Sequence, residues 1–326
     1  MSERYDIAGR TVFITGAARG IGAACAERVH ARGANVALVG LEPERLEENA
    51  ARLGDRAASF QADVTDLDAL QRAVRATVQR FGGIDVAIAN AGIAFTGSLA
   101  DSPVEHVERT LAVNLLGVWR TDRAVIGQIM QRRGYLLNVA SLAAVVHGAL
   151  MGPYTASKSG VEALSNAMRI EVAPSGARVG CAYFGFIDTD LVRAAFAEPS
   201  AETLTGRAPA FMREPIPLPK AIDAIERGIQ RRSARVWAPR WVGPMLLMRG
   251  LLQPLLERTA IKDPAPLLEA TTLAEESAAR QDPILGIAAK ALEQPAASSA
   301  PAEQPAEQPT GAAPAEQTAA HSVREN

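Results

Sequence analysis

Two cysteines, Cys25 and Cys181, are all that the 326 residues contain, which excludes a disulfide framework. One falls in a helical pattern and the other in a strand-like run, so both are expected to be buried small apolar side chains. Histidine is nearly as scarce. His30, His106, His147 and His321 have no ligand spacing, and no metal site is expected. Neither sign of charge dominates: 34 Lys and Arg against 36 Asp and Glu leave a formal net charge of -2, with the cations scattered, and no nucleic-acid partner is expected. No uninterrupted apolar run reaches the ~20 residues of a transmembrane segment. Residues 1–10 mix Glu3, Arg4, Asp6 and Arg10 with few apolar side chains, unlike the core of a secretory signal. A soluble, cytoplasmic protein is the expectation.

What is present suits a globular domain. Hydrophobic residues make up 48% and charged residues 21%, in a chain long enough for one large α/β domain or two small ones. A β-branched, apolar run over 11–15 leads into Gly16-Ala-Ala-Arg-Gly20-Ile-Gly22 and then a helical pattern over 23–32. Strand, glycine turn and helix in this order make a dinucleotide cradle, because glycines let backbone N–H groups approach a pyrophosphate at the positive end of a helix. The spacing is G-x-x-x-G-x-G rather than G-x-G-x-x-G. Gly16, Arg19, Gly20, Ile21 and Gly22 are candidate cofactor contacts. A second strand over 35–39 is wholly apolar, as a strand covered on both faces must be. At its tip, where an NAD site keeps a carboxylate for the ribose hydroxyl, stand Gly40 and Leu41. Glu42 follows, and Arg19 and Arg45 bring positive charge for a 2′-phosphate, so NADP(H) is favoured over NAD(H).

Later strand ends supply more candidates. A third strand over 56–61 leads to Asp63 and Val64, placed for an adenine edge, with Asp66 set to cap a helix over 67–81. The fourth, over 84–88, runs into Asn90, Ala91 and Gly92, at the edge where open parallel sheets bind ligands. Pro103 opens a long helical segment in which Asn114 sits among apolar neighbours, and an amide there costs about 1–3 kcal/mol unless it finds partners. A fifth strand over 135–140 ends at Ser141. Tyr154 and Lys158 then open a helix that runs to Pro174, four residues apart and so on one face. A free phenol titrates near pH ~10, and a nearby ammonium lowers that value towards one useful for a general acid or base. A sixth strand over 176–183 leads to Phe184-Gly185-Phe186 and on to Ile187 and Thr189.

Residues 190–219 have weak periodicity and several prolines, the pattern of a lid over a site. A helix over 221–231 and a seventh strand over 235–238 follow. Residues 241–257 are unusually apolar but are interrupted by Pro244, Arg249 and Pro254; a core or inter-subunit helix ranks above peripheral contact with a membrane. From Glu293 the composition turns to Ala, Pro, Glu, Gln and Ser, with Glu-Gln-Pro at 293–295 recurring at 303–305 and 307–309. A disordered tail is expected there, since such a segment buries too little apolar surface to offset its ordering entropy. The domain expectation is therefore 1–240, a helical extension over 241–292, and a tail over 293–326.

Thr15-Gly16-x-x-x-Gly20-x-Gly22, Asn90-Ala91-Gly92, Asn114, Ser141 and Tyr154-x-x-x-Lys158, in this order and over roughly residues 8–240, resemble the short-chain dehydrogenase/reductase family. The resemblance implies an α/β, Rossmann-like, doubly wound parallel sheet of about seven strands in the order 3-2-1-4-5-6-7, with helices on both faces. It also implies a homodimer or homotetramer and an NAD(P)-dependent enzyme interconverting an alcohol and a carbonyl compound. In that likeness Tyr154 is the general acid/base, Lys158 lowers its pKa and holds the nicotinamide ribose, Ser141 binds the substrate oxygen, and Asn114 positions water in a proton relay. Thr189 matches the position that touches the cofactor. One departure is Phe184-Gly185, where the family commonly has Pro-Gly. A non-catalytic redox sensor or scaffold on the same fold is the alternative, which would need the glycines but not the relay. Phe184, Phe186, Leu142, Ala143, Val145, Val146, Met151, Leu191, Val192 and Phe196 predict a hydrophobic small-molecule substrate.

Overall fold

Apolar runs of four to seven residues, each followed by a helix, pair side by side because a helical crossover returns the chain to the same end of the sheet. The computed structural model describes residues 4–205 and 209–279, all within one compact unit, Met1–Glu293. The strands are β1 (Thr11–Thr15), β2 (Asn35–Gly40), β3 (Ala57–Gln61), β4 (Val86–Ala89), β5 (Tyr135–Val139), β6 (Arg178–Phe184) and β7 (Arg235–Ala238). All pair in parallel, in the order β3-β2-β1-β4-β5-β6-β7. The fold is the doubly wound, Rossmann-like sheet that the sequence implies, and its strand order reverses between β1 and β4.

The helices are α1 (Gly20–Ala31), α2 (Pro43–Leu53), α3 (Leu67–Phe81), α4 (Val104–Leu111), α5 (Gly117–Gln131), α6 (Gly152–Val172), α7 (Asp190–Ala197), α8 (Pro199–Thr205), α9 (Ala210–Arg213), α10 (Leu218–Arg231), α11 (Val242–Lys262) and α12 (Ala265–Ala279). Strand β1 shows why the sheet is covered on both sides. Val12 and Ile14 point into one apolar core and Phe13 into the other, and all are fully buried. Cys25 and Cys181 are buried and unpaired.

The structure refines several expectations. Helix α1 begins at Gly20, so the last two glycines of the turn lie in its first turn. The segment opened by Pro103 is not one helix: α4 and α5 are separated by a π turn over Ala112–Leu116. The described residues of the expected lid form three short helices, α7 to α9, despite their weak periodicity. The apolar segment from Trp241 is one helix, α11, that continues to Lys262 past the internal Pro254. Its exposed Leu247, Leu251 and Leu255 show that it is not a core helix. The tail expected over 293–326 lies outside the described residues.

Candidate active site

The ends of β1 and β4 meet across the switch point, and the glycine turn is fitted between them. Gly16 takes a positive φ of 67°, and a Cβ there would meet Ala91 Cα at 2.9 Å and Asn90 Nδ2 at 3.0 Å. At Gly22 a Cβ would overlap the carbonyl oxygen of Gly16. Only glycine lets the turn fold back on itself this closely. Asn90 braces it, donating from Nδ2 to the carbonyls of Thr15 (3.0 Å) and Gly16 (3.3 Å). The Thr15 hydroxyl accepts from the backbone N–H groups of Asn90 (3.1 Å) and Ala91 (3.3 Å). From α2, Asn49 Nδ2 donates to the carbonyl of Ala18 at 3.1 Å. No local sequence signal marks Asn49, because its role exists only once α2 packs beside the turn.

Arg19 is the N-cap residue of α1 and supplies no side-chain acceptor to the helix's first N–H groups. An anion can therefore bind at that positive end. The Arg19 guanidinium instead forms an ion pair with Glu42, just past the tip of β2. Burial, and then the charge of Arg45, hold the Arg19 pKa below its ordinary value. Arg45, Glu42 and Asp190 thus all act on Arg19 at the corner beside Gly40.

A cleft of about 280 Å³ joins this turn to the C-terminal edge of β4, β5 and β6. Of the candidates, Gly16, Arg19, Gly20, Ile21, Asp63, Val64, Asn90, Ala91, Gly92, Ser141, Tyr154, Lys158, Ile187 and Thr189 line it. Gly22 and Asn114 do not. Gly22 sits beneath the turn, and Asn114 is fully buried behind the cleft. Asn114 resolves its amide on the backbone of Ile93, accepting from the N–H at 2.8 Å and donating to the carbonyl at 2.8 Å, with a second donation to Ser157 Oγ at 3.3 Å. It clamps the strand of chain after Gly92, and the π turn that carries it is a distortion that recurs at functional sites.

Tyr154 enters the cleft from the first turn of α6, and Lys158 follows on the same face with its Nζ 5.7 Å from the phenol ring centre. Lys158 is almost fully buried and donates to the carbonyl of Val139 at 2.9 Å. Burial drops its pKa to about 8, a shift that Cys181 opposes. Burial raises the Tyr154 phenol above its ordinary value, and the hydroxyl of Ser141 is the neighbour that pulls it down. Ser141 also caps the short helical turn that follows β5, accepting from Ala143 N at 3.2 Å, and approaches the carbonyl of Phe184 at 3.4 Å.

The apolar residues divide. Phe184, Leu191 and Val192 line the cleft, whereas Leu142, Ala143, Val145, Val146 and Met151 do not. Val145 is buried in the core against which Leu142 and Val146 pack. Phe186 and Phe196 stack edge to face, with centroids 4.8 Å apart, and so tie α7 to the end of β6. Gly185 also lines the cleft, and a Cβ there would meet Pro239 Cδ at 3.2 Å and Trp241 at 3.5 Å. Among the described residues no cluster of His, Cys, Asp and Glu could hold a metal ion.

Residues 10–200 match the family model described as short chain dehydrogenase. The 2-(R)-hydroxypropyl-CoM dehydrogenase of Xanthobacter autotrophicus is 36% identical over 192 residues, covering 56% of this chain and 77% of that protein. The 3beta-hydroxysteroid dehydrogenase 1 of Eggerthella lenta is 32% identical over 212 residues, covering 62% and 80%. A solved short chain dehydrogenase/reductase from Burkholderia phymatum, in complex with NAD, superposes with a TM-score of 0.65 over 78% of this chain and 96% of that one, at 22% identity. The last likeness is one of fold. With a family model spanning more than half of its length, the chain belongs to the short-chain dehydrogenase/reductase family.

Proposed function

We propose that the protein is an NAD(P)-dependent oxidoreductase that interconverts a secondary alcohol and a ketone on a hydrophobic small molecule, with Tyr154 as the general acid/base. The observation that carries this is the convergence of Ser141, Tyr154 and Lys158 on one cleft that runs from the glycine turn to the end of β6. The cradle fits a dinucleotide: a Cβ would fill it at Gly16, and α1 starts without a side-chain cap. Gly16, Gly20, Ile21, Asp63, Val64, Ala91 and Thr189 would hold the cofactor, and Lys158 its nicotinamide ribose. A bound nicotinamide supplies or takes up the hydride.

The chain's own residues handle the proton. In reduction Tyr154 Oη gives its proton to the substrate oxygen, and in oxidation it takes that proton back. Ser141 orients the oxygen and its hydrogen bond makes the phenol a better acid. Lys158 adds positive charge below the ring. Asn114 acts one layer back, as a positioning residue, by fixing Ile93 and the chain after Gly92. Helices α7 to α9 serve as the lid, with Leu191 and Val192 facing the substrate. An ionised substrate group would be unpaired among such side chains, at a cost of several kcal/mol.

NADP(H) remains the favoured cofactor, because β2 ends on Gly40 rather than on an acid and Arg19 and Arg45 bring positive charge beside it. The Arg19–Glu42 pair supports a second reading, NAD(H) with Glu42 on the ribose. Turnover of cofactor absorbance with secondary alcohols and ketones of rising chain length tests the function. kcat/KM should climb with each added methylene, by up to ~0.8 kcal/mol apiece. No turnover with any member, alongside tight cofactor binding, would favour a sensor or scaffold instead.

A further inference from the structure

Helix α11 carries leucines on opposite sides, yet among the described residues only one side of it packs against the protein. On that side Val242 is fully buried and Leu246 packs against the core behind β6. Arg249 Nη1 donates to both carboxylate oxygens of Glu162 at 2.8 Å, and Gln253 Oε1 accepts from the backbone N–H of His147 at 2.9 Å. Glu257, the one acid within the helix, accepts from Gln253 Nε2 at 3.0 Å. At 100° per residue the opposite face carries Leu247, Leu251, Leu255, Arg258 and Lys262. The three leucines are 86%, 73% and 58% exposed. Single exposed leucines are unremarkable on a protein surface, but a stripe of this kind marks an interaction site.

Charge decides between occupants. The outward face holds two cations and no acid. An antiparallel pair of α11 helices centred on Leu251 would set Lys262 of one copy against Arg240 of the other, and a parallel pair would set Arg258 on Arg258. A second copy of the chain is therefore disfavoured on this face. The chain also enters α11 from a basic edge, a groove beside β7 lined by Lys220, Arg227, Arg231, Arg235 and Arg240, whose one acid, Asp223, is paired with Arg28 at 2.7 Å. Exposed leucines framed by cations match an anionic lipid surface.

We infer that the outer face of α11 is a peripheral membrane-binding surface, with Leu247, Leu251 and Leu255 entering the headgroup boundary and Arg258 and Lys262 contacting anionic lipid. Among the described residues no helix is long and apolar enough to cross a membrane, so α11 lies on the surface rather than spanning it. Trp241, the N-cap residue of α11, borders Gly185 of the cleft and stacks edge to face on Phe211. Docking through α11 would bring the cleft's entrance near the lipid. Binding itself does not depend on the reaction proposed above.

Vesicle flotation of the full chain tests this, using phosphatidylcholine vesicles with and without roughly 30% phosphatidylserine. The protein should float with the anionic vesicles, several-fold less with the neutral ones, and less again as salt rises. Leu251→Glu with Leu255→Glu should reduce flotation at least tenfold, and Arg258→Glu with Lys262→Glu should abolish the preference for anionic lipid, both without changing the melting temperature by more than a few degrees. Absence of flotation at low salt would overturn the inference, as would flotation unaffected by the leucine substitutions. A leucine variant that instead dissociates an oligomer in sedimentation velocity, with no vesicle binding by the parent protein, would assign the face to a second copy.

Discussion

At Tyr154 the direction in which the proton is held decides the pH dependence of the chemistry. Burial keeps the phenol protonated through neutral pH, with Ser141 opposing that shift. Reduction needs the phenol and oxidation the phenolate. The reductive kcat should therefore be flat across neutral pH while the oxidative kcat rises into the alkaline range, and Ser141→Ala should move that rise to higher pH. Matching pH–rate profiles in the two directions would contradict the assignment. Cofactor choice also turns on single residues. Glu42→Gln releases Arg19 from its ion pair, so the ratio of kcat/KM for NADP over NAD should increase several-fold. An unchanged ratio would mean that neither residue reads the ribose.

Helix α6 carries Tyr154, Lys158 and Glu162 at successive four-residue steps, and the last of these anchors α11. The Glu162 carboxylate also accepts from the Tyr183 hydroxyl at 3.0 Å. Arg249→Ala would leave that largely buried carboxylate with one donor, and since Arg249 is half-exposed the loss should be only about 1–2 kcal/mol in urea unfolding, partly restored in Arg249→Lys. A variant as stable as the parent would show that α11 is held by its apolar contacts alone. This element also marks the boundary of what the sequence reveals. Tyr154 and Lys158 are legible because a four-residue step fixes their common face before any tertiary contact forms, and the glycine turn is legible because strand, turn and helix are contiguous. Arg249 and Glu162 lie 87 residues apart, and Asn49 reaches Ala18 across 31, so no local pattern announces them. The apolar loop before Tyr154 misled for a related reason: its side chains suit a pocket or a core, and packing alone sends Val145 to the core. Likewise the four-residue step put Lys158 beside Tyr154 without revealing that one of its three N–H donors would be held by the carbonyl of Val139.

For the molecule as a whole, stability should depend on pH through a group that the chemistry does not use. Asp122 on α5 is fully buried, and desolvation raises its pKa to about 8 despite a 2.8 Å hydrogen bond from Asn138 Nδ2. Oδ1 of Asp122 and Oδ1 of Asn138 both lack a hydrogen-bond partner, which disfavours the ionised carboxylate further. Because the folded pKa lies above the unfolded value, the folded state binds the extra proton. The stability this gives is complete below about pH 4 and is lost as pH rises towards about 8. Asp122→Asn keeps a donor at every pH, so its melting temperature relative to the parent should increase steadily across that window. A constant difference from acid to pH 8 would show that Asp122 titrates normally.

Hydride transfer coupled to a proton at Tyr154 is tested most directly by Tyr154→Phe. The substitution removes the hydroxyl and little volume. With any hydrophobic ketone or alcohol that the parent protein turns over, kcat followed by cofactor absorbance should fall by about 10²–10⁴ while cofactor affinity stays within about twofold of the parent. A Phe variant that keeps the parent's kcat would contradict the account.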